Sequence, residues 1–302
     1  MSFTLGDKTA AELGLRLLED SEDPILSSTR DYTMTIPGKH GAWDFGAERE
    51  PKPFALSCGF IKDGTAYENP SERELQRYVR QLSAHLLDAR GRPRTLKLVM
   101  HREPDKFYYV RYSGSLSIQR LLYQSVGFFT LPLIAYDPDA YAEATAYDET
   151  YEYDTGVQYD SGLIYPNTAS FHWQYVRHMS SLYNYGNLNT GLRVFIEGAV
   201  SSPNITHFQT GEKIAFNVTL DEDEALIIDS DTFTAVKCTV ESETYYIMAQ
   251  YPARYVEYGD AVSVIGRKRG DFFQLIPGEN GLIFGGVNPD AVVKYMWYNK
   301  FS

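Results

Sequence analysis

Only one stretch of this chain repeats its apolar residues with a helical period. Between residues 71 and 89 they fall at Leu75, Tyr78, Val79, Leu82, Leu86 and Ala89. That is the i, i+3, i+4, i+7 spacing that gathers one buried stripe. Ser71 and Glu74 stand at capping-box spacing just after Pro70, while Gly91 offers a left-handed stop and Pro93 blocks continuation. The spacing predicts a helix over 71–90. Everywhere else the chain reads as short alternating runs cut by Gly, Pro, Asn and Asp. Thr95–Met100 and residues 107–112 flank the turn Glu103-Pro104-Asp105-Lys106 and predict a hairpin. Further strands are predicted at 116–123, 126–135, 191–200, 213–220, 225–229, 234–240, 243–248, 272–275 and 281–284. Residues 9–18 read either as a short helical turn or as a strand edge. Many short strands at this spacing argue for a mostly β protein built from barrels or sandwiches. Exposed strand edges are a hazard in such folds, and a closed oligomer is one way to cover them.

The strand pattern changes character near Tyr136-Asp137-Pro138-Asp139-Ala140-Tyr141. An apolar run ends there, and an acidic, tyrosine-rich stretch follows to about Pro166. Charge changes with it. Residues 1–140 hold 18 Lys and Arg against 19 Asp and Glu, and residues 141–302 hold 10 against 21, so the net −12 lies almost wholly in the second part. This places two domains at 1–140 and 141–302. The near-neutral first part is the better candidate for packing against copies or partners, and the acidic second part for facing solvent. So acidic a chain has no basic footprint for duplex nucleic acid and is repelled by anionic lipid. No run approaches 18 uncharged apolar residues, so no membrane span is expected. Residues 1–7 lack a basic stretch followed by an apolar core, so no secretory leader is expected there. Cys58 and Cys238 are the only cysteines, which argues against a disulfide framework and for folding in a reducing cytoplasm. The 24 tyrosines, against 3 tryptophans, suit either half-buried strand positions or a surface rich in protein or sugar contacts.

Catalytic and metal motifs are missing from the sequence. The histidines, His40, His85, His101, His172, His178 and His207, form no His-x-x-x-His pair. There is no Gly-x-Ser-x-Gly elbow, and Gly41-Ala42-Trp43-Asp44-Phe45-Gly46 lacks the Lys-Ser/Thr ending of a phosphate loop. Asp221-Glu222-Asp223-Glu224 reads as a solvated hairpin tip, not as a paired catalytic couple. Asp229-Ser230-Asp231 lacks the glycine and distal glutamate of a calcium loop. No enzyme activity, catalytic residue, cofactor or metal is expected. One binding feature stands out: the aromatic run Phe171-His172-Trp173-Gln174-Tyr175, in which Trp173 and Tyr175 are candidates for stacking on a sugar. The competing reading is that these rings are core and interface residues of a sandwich.

A set of motifs in a fixed order carries a resemblance. In the first half these are Ile36-Pro37-Gly38-Lys39-His40-Gly41 and Trp43-Asp44-Phe45-Gly46, then the helix with Glu74-Leu75-Gln76-Arg77-Tyr78-Val79. Leu96-Lys97-Leu98, Glu103-Pro104-Asp105-Lys106 and Phe107-Tyr108-Tyr109-Val110 follow, then Phe128-Phe129-Thr130-Leu131-Pro132 and Tyr136-Asp137-Pro138. In the second half come Gly186-Asn187-Leu188-Asn189-Thr190-Gly191, Pro203-Asn204-Ile205, Gly211-Glu212-Lys213-Ile214, Ile227-Ile228-Asp229 and Leu275-Ile276-Pro277-Gly278-Glu279-Asn280. In this order the chain resembles the distal tail proteins of long-tailed, siphovirus-type bacteriophages. The resemblance implies an N-terminal β-barrel-like domain carrying one helix and a C-terminal galectin-like β-sandwich. It implies a structural virion protein, made in the host bacterial cytoplasm, that forms a homo-hexameric ring at the tail tip. The ring would join the tail tube protein to a tail-tip hub or tail-associated protein, with a receptor-binding protein as a further possible neighbour. DNA would pass its channel without specific binding. The alternative is a carbohydrate-binding module that assists host-surface recognition. The acidic stretch 147–159 departs from the bare family pattern.

Overall fold

A computed structural model describes residues 2–18, 21, 24–60, 71–121, 126–142, 170–240 and 261–302. The chain divides into two compact units, Met1–Tyr141 with Ser302, and Ala142–Phe301. Among the described residues it is mostly strand, with one α-helix and one short 3-10 turn. The expected segments at 147–159 and 243–248 lie outside the described residues.

In the first unit the strands are β1 (Phe3–Leu5), β2 (Lys8–Thr9), β3 (Leu15–Leu17), β4 (Thr29–Met34), β5 (Trp43–Arg49), β6 (Lys52–Phe60), β7 (Thr95–Met100), β8 (Lys106–Tyr112), β9 (Gln119–Leu121), β10 (Val126–Ala135) and β11 (Ala140–Ala142). Helix α1 (Glu72–Leu86) lies between β6 and β7 in sequence. The main sheet runs β2-β1-β7-β8-β10-β6-β3, and β4 and β5 form a separate two-stranded sheet. The main sheet is a half-barrel, open between β2 and β3. Period-2 burial explains why these segments are strands: in β6 the side chains of Phe54, Leu56, Cys58 and Phe60 all point inward. They meet Phe3, Leu5, Leu98 and Leu131 from neighbouring strands and Leu75, Tyr78, Leu82 and Leu86 from α1 in one core.

The helix begins where the sequence expects it. Ser71 caps the backbone of Glu74, and the Glu74 carboxylate accepts from the Ser71 N–H at 2.7 Å. It ends at Leu86, earlier than the expected residue 90. Leu87 is extended and bridges to Pro93, and the chain turns through residues 88–92. The Asp88 carboxylate accepts from the backbone of Arg90 and Arg92, both at 2.8 Å, a local bond set that competes with helix continuation. Gly91, at φ +74°, serves that turn and does not stop the helix. The buried stripe also differs: His85 replaces Ala89, donating from Nε2 to the Leu5 carbonyl at 2.8 Å. Residues 9–18 resolve into the end of β2, a tight turn and β3. Gly14 in that turn has φ +69°, and a Cβ there would lie 2.7 Å from the Tyr78 ring. Of the expected strand 116–123, only β9 forms among the described residues.

The second unit contains β12 (Ser170–Trp173), β13 (Arg177–Asn184), β14 (Leu192–His207), β15 (Lys213–Phe216), β16 (Thr219–Leu220), β17 (Glu224–Asp229), β18 (Thr234–Thr239), β19 (Val262–Ser263), β20 (Lys268–Gly270), β21 (Gly278–Trp297) and β22 (Asn299–Phe301). The path is β12-β21-β14-β17-β18-β19, with β13 also on β21 and β15 and β16 also on β14. The two long strands pair with each other and change their outer partners along the way. β14 meets β17 through residues 193–197 and β15 through 204–206. β21 meets β13 through 278–285 and β12 through 291–294. Register shifts between Ala199 and Asn204, with Gly198 at φ +109° and Ser202 at φ 52°, bend the ladder there. The bend lets the same two strands serve both layers of a β-sandwich around Trp173, Ile196, Ile205, Phe216, Phe284 and Tyr295. The expected strand 281–284 is therefore a fragment of β21. A Cβ at Gly286 would lie 2.7 Å from Val200 and 3.0 Å from Trp173. Glycine is needed there for close approach within a strand. The expected strand 213–220 is split into β15 and β16, and 272–275 contributes only the bridge Thr190–Leu275.

Candidate functional site

The β4–β5 hairpin is the least self-sufficient part of the first unit. Every residue of both strands is exposed. A lone two-stranded hairpin is marginal in water. Pro37-Gly38 and Gly41, the last at φ +83°, turn the chain between the strands. The register pairs Thr29 with Arg49, Asp31 with Ala47, Thr33 with Asp44 and Met34 with Trp43, with a bulge opposite Tyr32. Pleating then separates the side chains into two faces. One face carries Arg30, Tyr32, Met34, Trp43 and Glu48. The Tyr32 hydroxyl donates to Glu48 at 2.9 Å, Arg30 pairs with Glu50 at 2.9 Å, and the Lys39 ammonium lies 3.8 Å from the Trp43 ring centre. Phe45, in the bulge, is 63% exposed and Met34 is 55% exposed. The other face carries Asp31, Thr33, Asp44 and Ala47. The hairpin base is tied down: Arg49 pairs with Asp139. Arg30 also holds the Glu50 carboxyl below the usual range, after the larger contribution of the Ser28 hydroxyl.

Large exposed apolar side chains on one β face are the ordinary mark of a surface that another protein covers. The sequence contains both Trp43 and Phe45, but neither hairpin strand was expected, because polar residues dominate 29–34 and 43–49. The available signal was the alternation Tyr32/Met34 and Trp43/Phe45 about a Pro-Gly turn.

The residues expected to stack on a sugar are not brought together. Trp173 is 0% exposed, edge-on to Phe284 at 5.5 Å, with its indole N–H donated to the Tyr175 carbonyl at 2.8 Å. A buried ring has no free face, so Trp173 is a core residue and the expectation for it is corrected. Tyr175 is exposed. Asp229 accepts from Arg193 at 2.7 Å and from the backbone of Asp231 and Thr232, so its oxygens are engaged within the protein. Asp221 to Glu224 form a turn between β16 and β17. There the Asp221 N–H bonds to Glu224, which also pairs with Lys237 at 2.5 Å. Among the described residues no group of three His, Cys, Asp or Glu is placed to hold a metal. Burial pushes the Cys58 thiol up to about 12, the opposite of an activated nucleophile.

Residues 8–135 match the family described as the phage tail protein RIFT-related domain. No curated protein matches the sequence. Among solved structures the chain is similar to the Dit protein (gp 19.1) of phage SPP1, described as a paradigm of the hub adsorption apparatus in phages infecting Gram-positive hosts. The two are 12% identical with a TM-score of 0.61, over 100% of this chain and 99% of that one. Two structures of the phage P2 baseplate in its activated conformation, with Ca and with Sr, also match. Each is 7% identical over 98% of this chain and 97% of the other, at TM-scores of 0.44 and 0.43. Residues 8–135 thus match a phage tail domain, and the chain shares the fold of SPP1 Dit.

Proposed function

We propose that this chain, whose residues 8–135 match phage tail RIFT-related domains, is a structural protein of the tail tip and that six copies close into a ring. The ring would join the tail tube protein to a hub or baseplate and leave a channel through which DNA passes. A receptor-binding protein is a further neighbour in this reading. The observation that carries the reading is the β4–β5 hairpin, with Tyr32, Met34 and Trp43 exposed on one face and Phe45 in its bulge. A contact between two different surfaces of identical subunits propagates around a rotation axis and closes when the rotation permits. A hairpin extended from one copy onto the next is such a contact. The engaged carboxylates and the unreactive thiol support a non-enzymatic role.

Negative-stain imaging and sedimentation of the purified protein test this. Six-fold rings are expected, and Trp43→Ser with Phe45→Ser should return the protein to folded single subunits. A wild-type protein that stays monomeric at high concentration would overturn the reading. A saccharide contact in the second unit would have to use Tyr175 without Trp173. Saccharide titration of wild type against Tyr175→Ala tests that second role, and equal binding or no binding removes it.

A further inference from the structure

Among the described residues of the first unit, the solvent face of α1 is the clearest unsatisfied charge. Arg73, Arg77 and Arg80 are all exposed and stand at i, i+4 and i+7. Their side chains therefore fall within one narrow sector, opposite Leu75, Tyr78, Leu82 and Leu86. Gln76, Gln81 and Ala84 complete a shallow groove there, with Glu72 at its edge. Arg73 and Arg80 have no ion pair among the described residues, and Arg77 only lies 5.4 Å from the ring of Tyr78. At 1.5 Å rise per residue the three guanidiniums are spread over about 10 Å of helix. An array of unpaired arginines is unusual on a chain of net charge −12, which offers many closer ways to neutralise it.

The hairpin carries the complementary feature. On the face away from Trp43 stand Asp31 and Asp44, both exposed. Asp31 has no partner among the described residues, and Asp44 accepts only from the Gly46 N–H, at 2.8 Å. The register sets Asp44 opposite Thr33, two residues from Asp31 along the strand. Strand geometry then separates the two carboxylates by about 8 Å, within the span of the guanidiniums. Guanidinium groups bind carboxylates in a planar fork, and flanking glutamines add neutral hydrogen bonds.

We propose that the Arg73-Arg77-Arg80 face of α1 receives the Asp31/Asp44 face of the β4–β5 hairpin from a second copy of this chain. The proposal rests on the ring reading and gives it a residue-level contact. The two sets belong to different elements, so each copy offers one acidic face and one basic face. That arrangement is head-to-tail and does not pair a surface with itself. The apolar face of the same hairpin is left to pack separately, so the arm is covered on both sides. Phosphate is the competing partner for three arginines, but the two matching carboxylates favour the protein contact.

Three charge variants test it: R73E/R77E/R80E, D31K/D44K, and the two combined. All five positions are exposed, and a neutral set, R73Q/R77Q/R80Q, guards against a folding defect in the reversed helix. Sedimentation would give the protein concentration at which half the subunits are in rings. Each single reversal should raise that midpoint at least about tenfold, the neutral set should raise it less, and the combined variant should restore it to within about threefold. The wild-type midpoint should also rise with salt, as expected for exposed charge pairs. Rings that form in wild type and are unchanged by either reversal would overturn this contact while leaving the ring reading standing. Loss of duplex DNA retention in the helix variants without a shift in the midpoint would likewise overturn it in favour of phosphate. A wild-type protein that forms no rings would overturn both.

Discussion

Replacing Asp229 with Ala should strongly destabilise the second unit, and the structure allows the size of the effect to be worked out. Asp229 ends β17 with its side chain 1% exposed, against the Arg193 guanidinium at 6%. Its Oδ2 accepts from Arg193 Nε at 2.7 Å, and its Oδ1 accepts from the Asp231 and Thr232 N–H groups, at 2.9 and 3.1 Å. Removing the carboxylate takes the 2.7 Å counter-charge from a buried guanidinium, an effect of about 3–5 kcal/mol in comparable sites. The two turn N–H groups are only partly buried and can recover water, so they add about 1 kcal/mol together. A total of about 5 kcal/mol is a large part of a domain's stability of about 5–15 kcal/mol. In a unit of this size, about 2–4 °C is lost per kcal/mol, so the melting transition of the second unit should fall by about 10–20 °C. Replacing both partners with apolar residues, R193M/D229L, removes the buried guanidinium as well and should recover at least half of the loss. Differential scanning calorimetry of the three proteins decides the matter. A loss below about 1 kcal/mol in the single variant would refute the reasoning. So would a double variant no better than the single one.

Other outcomes follow from the same contacts. Trp173→Ala should destabilise the second unit by about 3–5 kcal/mol, as for other buried aromatics, whereas Tyr175→Ala should leave its melting transition within about 1 °C. Gly14→Ala combines a positive φ with a clash on Tyr78 and should destabilise the first unit by about 1–3 kcal/mol in chemical denaturation. Burial raises the folded-state pKa of Cys58 above its unfolded value, so the native state holds the proton longer. Stability from this group is complete below the ordinary thiol range and falls as pH rises toward 12, by up to about 1.4 kcal/mol per pH unit. Urea titrations across that alkaline window should show the fall, and Cys58→Ala should flatten it. Thiol reagents should also label Cys58 only after unfolding.

The first domain's frame was readable because its signals are local. The capping box at Ser71 and the spacing of Leu75, Tyr78, Leu82 and Leu86 are fixed by helix geometry alone, as is the β7–β8 hairpin by its charged turn. What failed depended on partners far away in sequence. His85 reads as polar but belongs to the buried stripe through the Leu5 carbonyl, 80 residues away. The helix ends earlier than its apolar spacing predicts because Asp88 bonds its own downstream backbone, a choice that hydropathy does not record. Trp173 reads either as a stacking or as a core residue, and what decides between the two, Phe284 and Gly286 closing over the ring, lies far along the chain. The hairpin is hidden in the sequence for the opposite reason: alternating hydropathy marks a strand with a buried face, and within one copy this hairpin has none.

The course of β21 through the second unit has a consequence for how the chain acquires its structure during synthesis. The seven strands of the path β2-β1-β7-β8-β10-β6-β3 all lie at or before Ala135, so they can pair as soon as that residue clears the ribosome. In the second unit β14 can pair early with β15, β16 and β17, but β12 and β13 pair only with β21 among the described residues, with Ser170 facing Lys294 across 124 residues of chain. At about 5–20 residues per second, β12 and β13 must stay soluble for roughly 5–25 seconds before their template exists. The dense acidic charge of this half is suited to that wait, because like charges keep unpaired strands of neighbouring nascent chains apart.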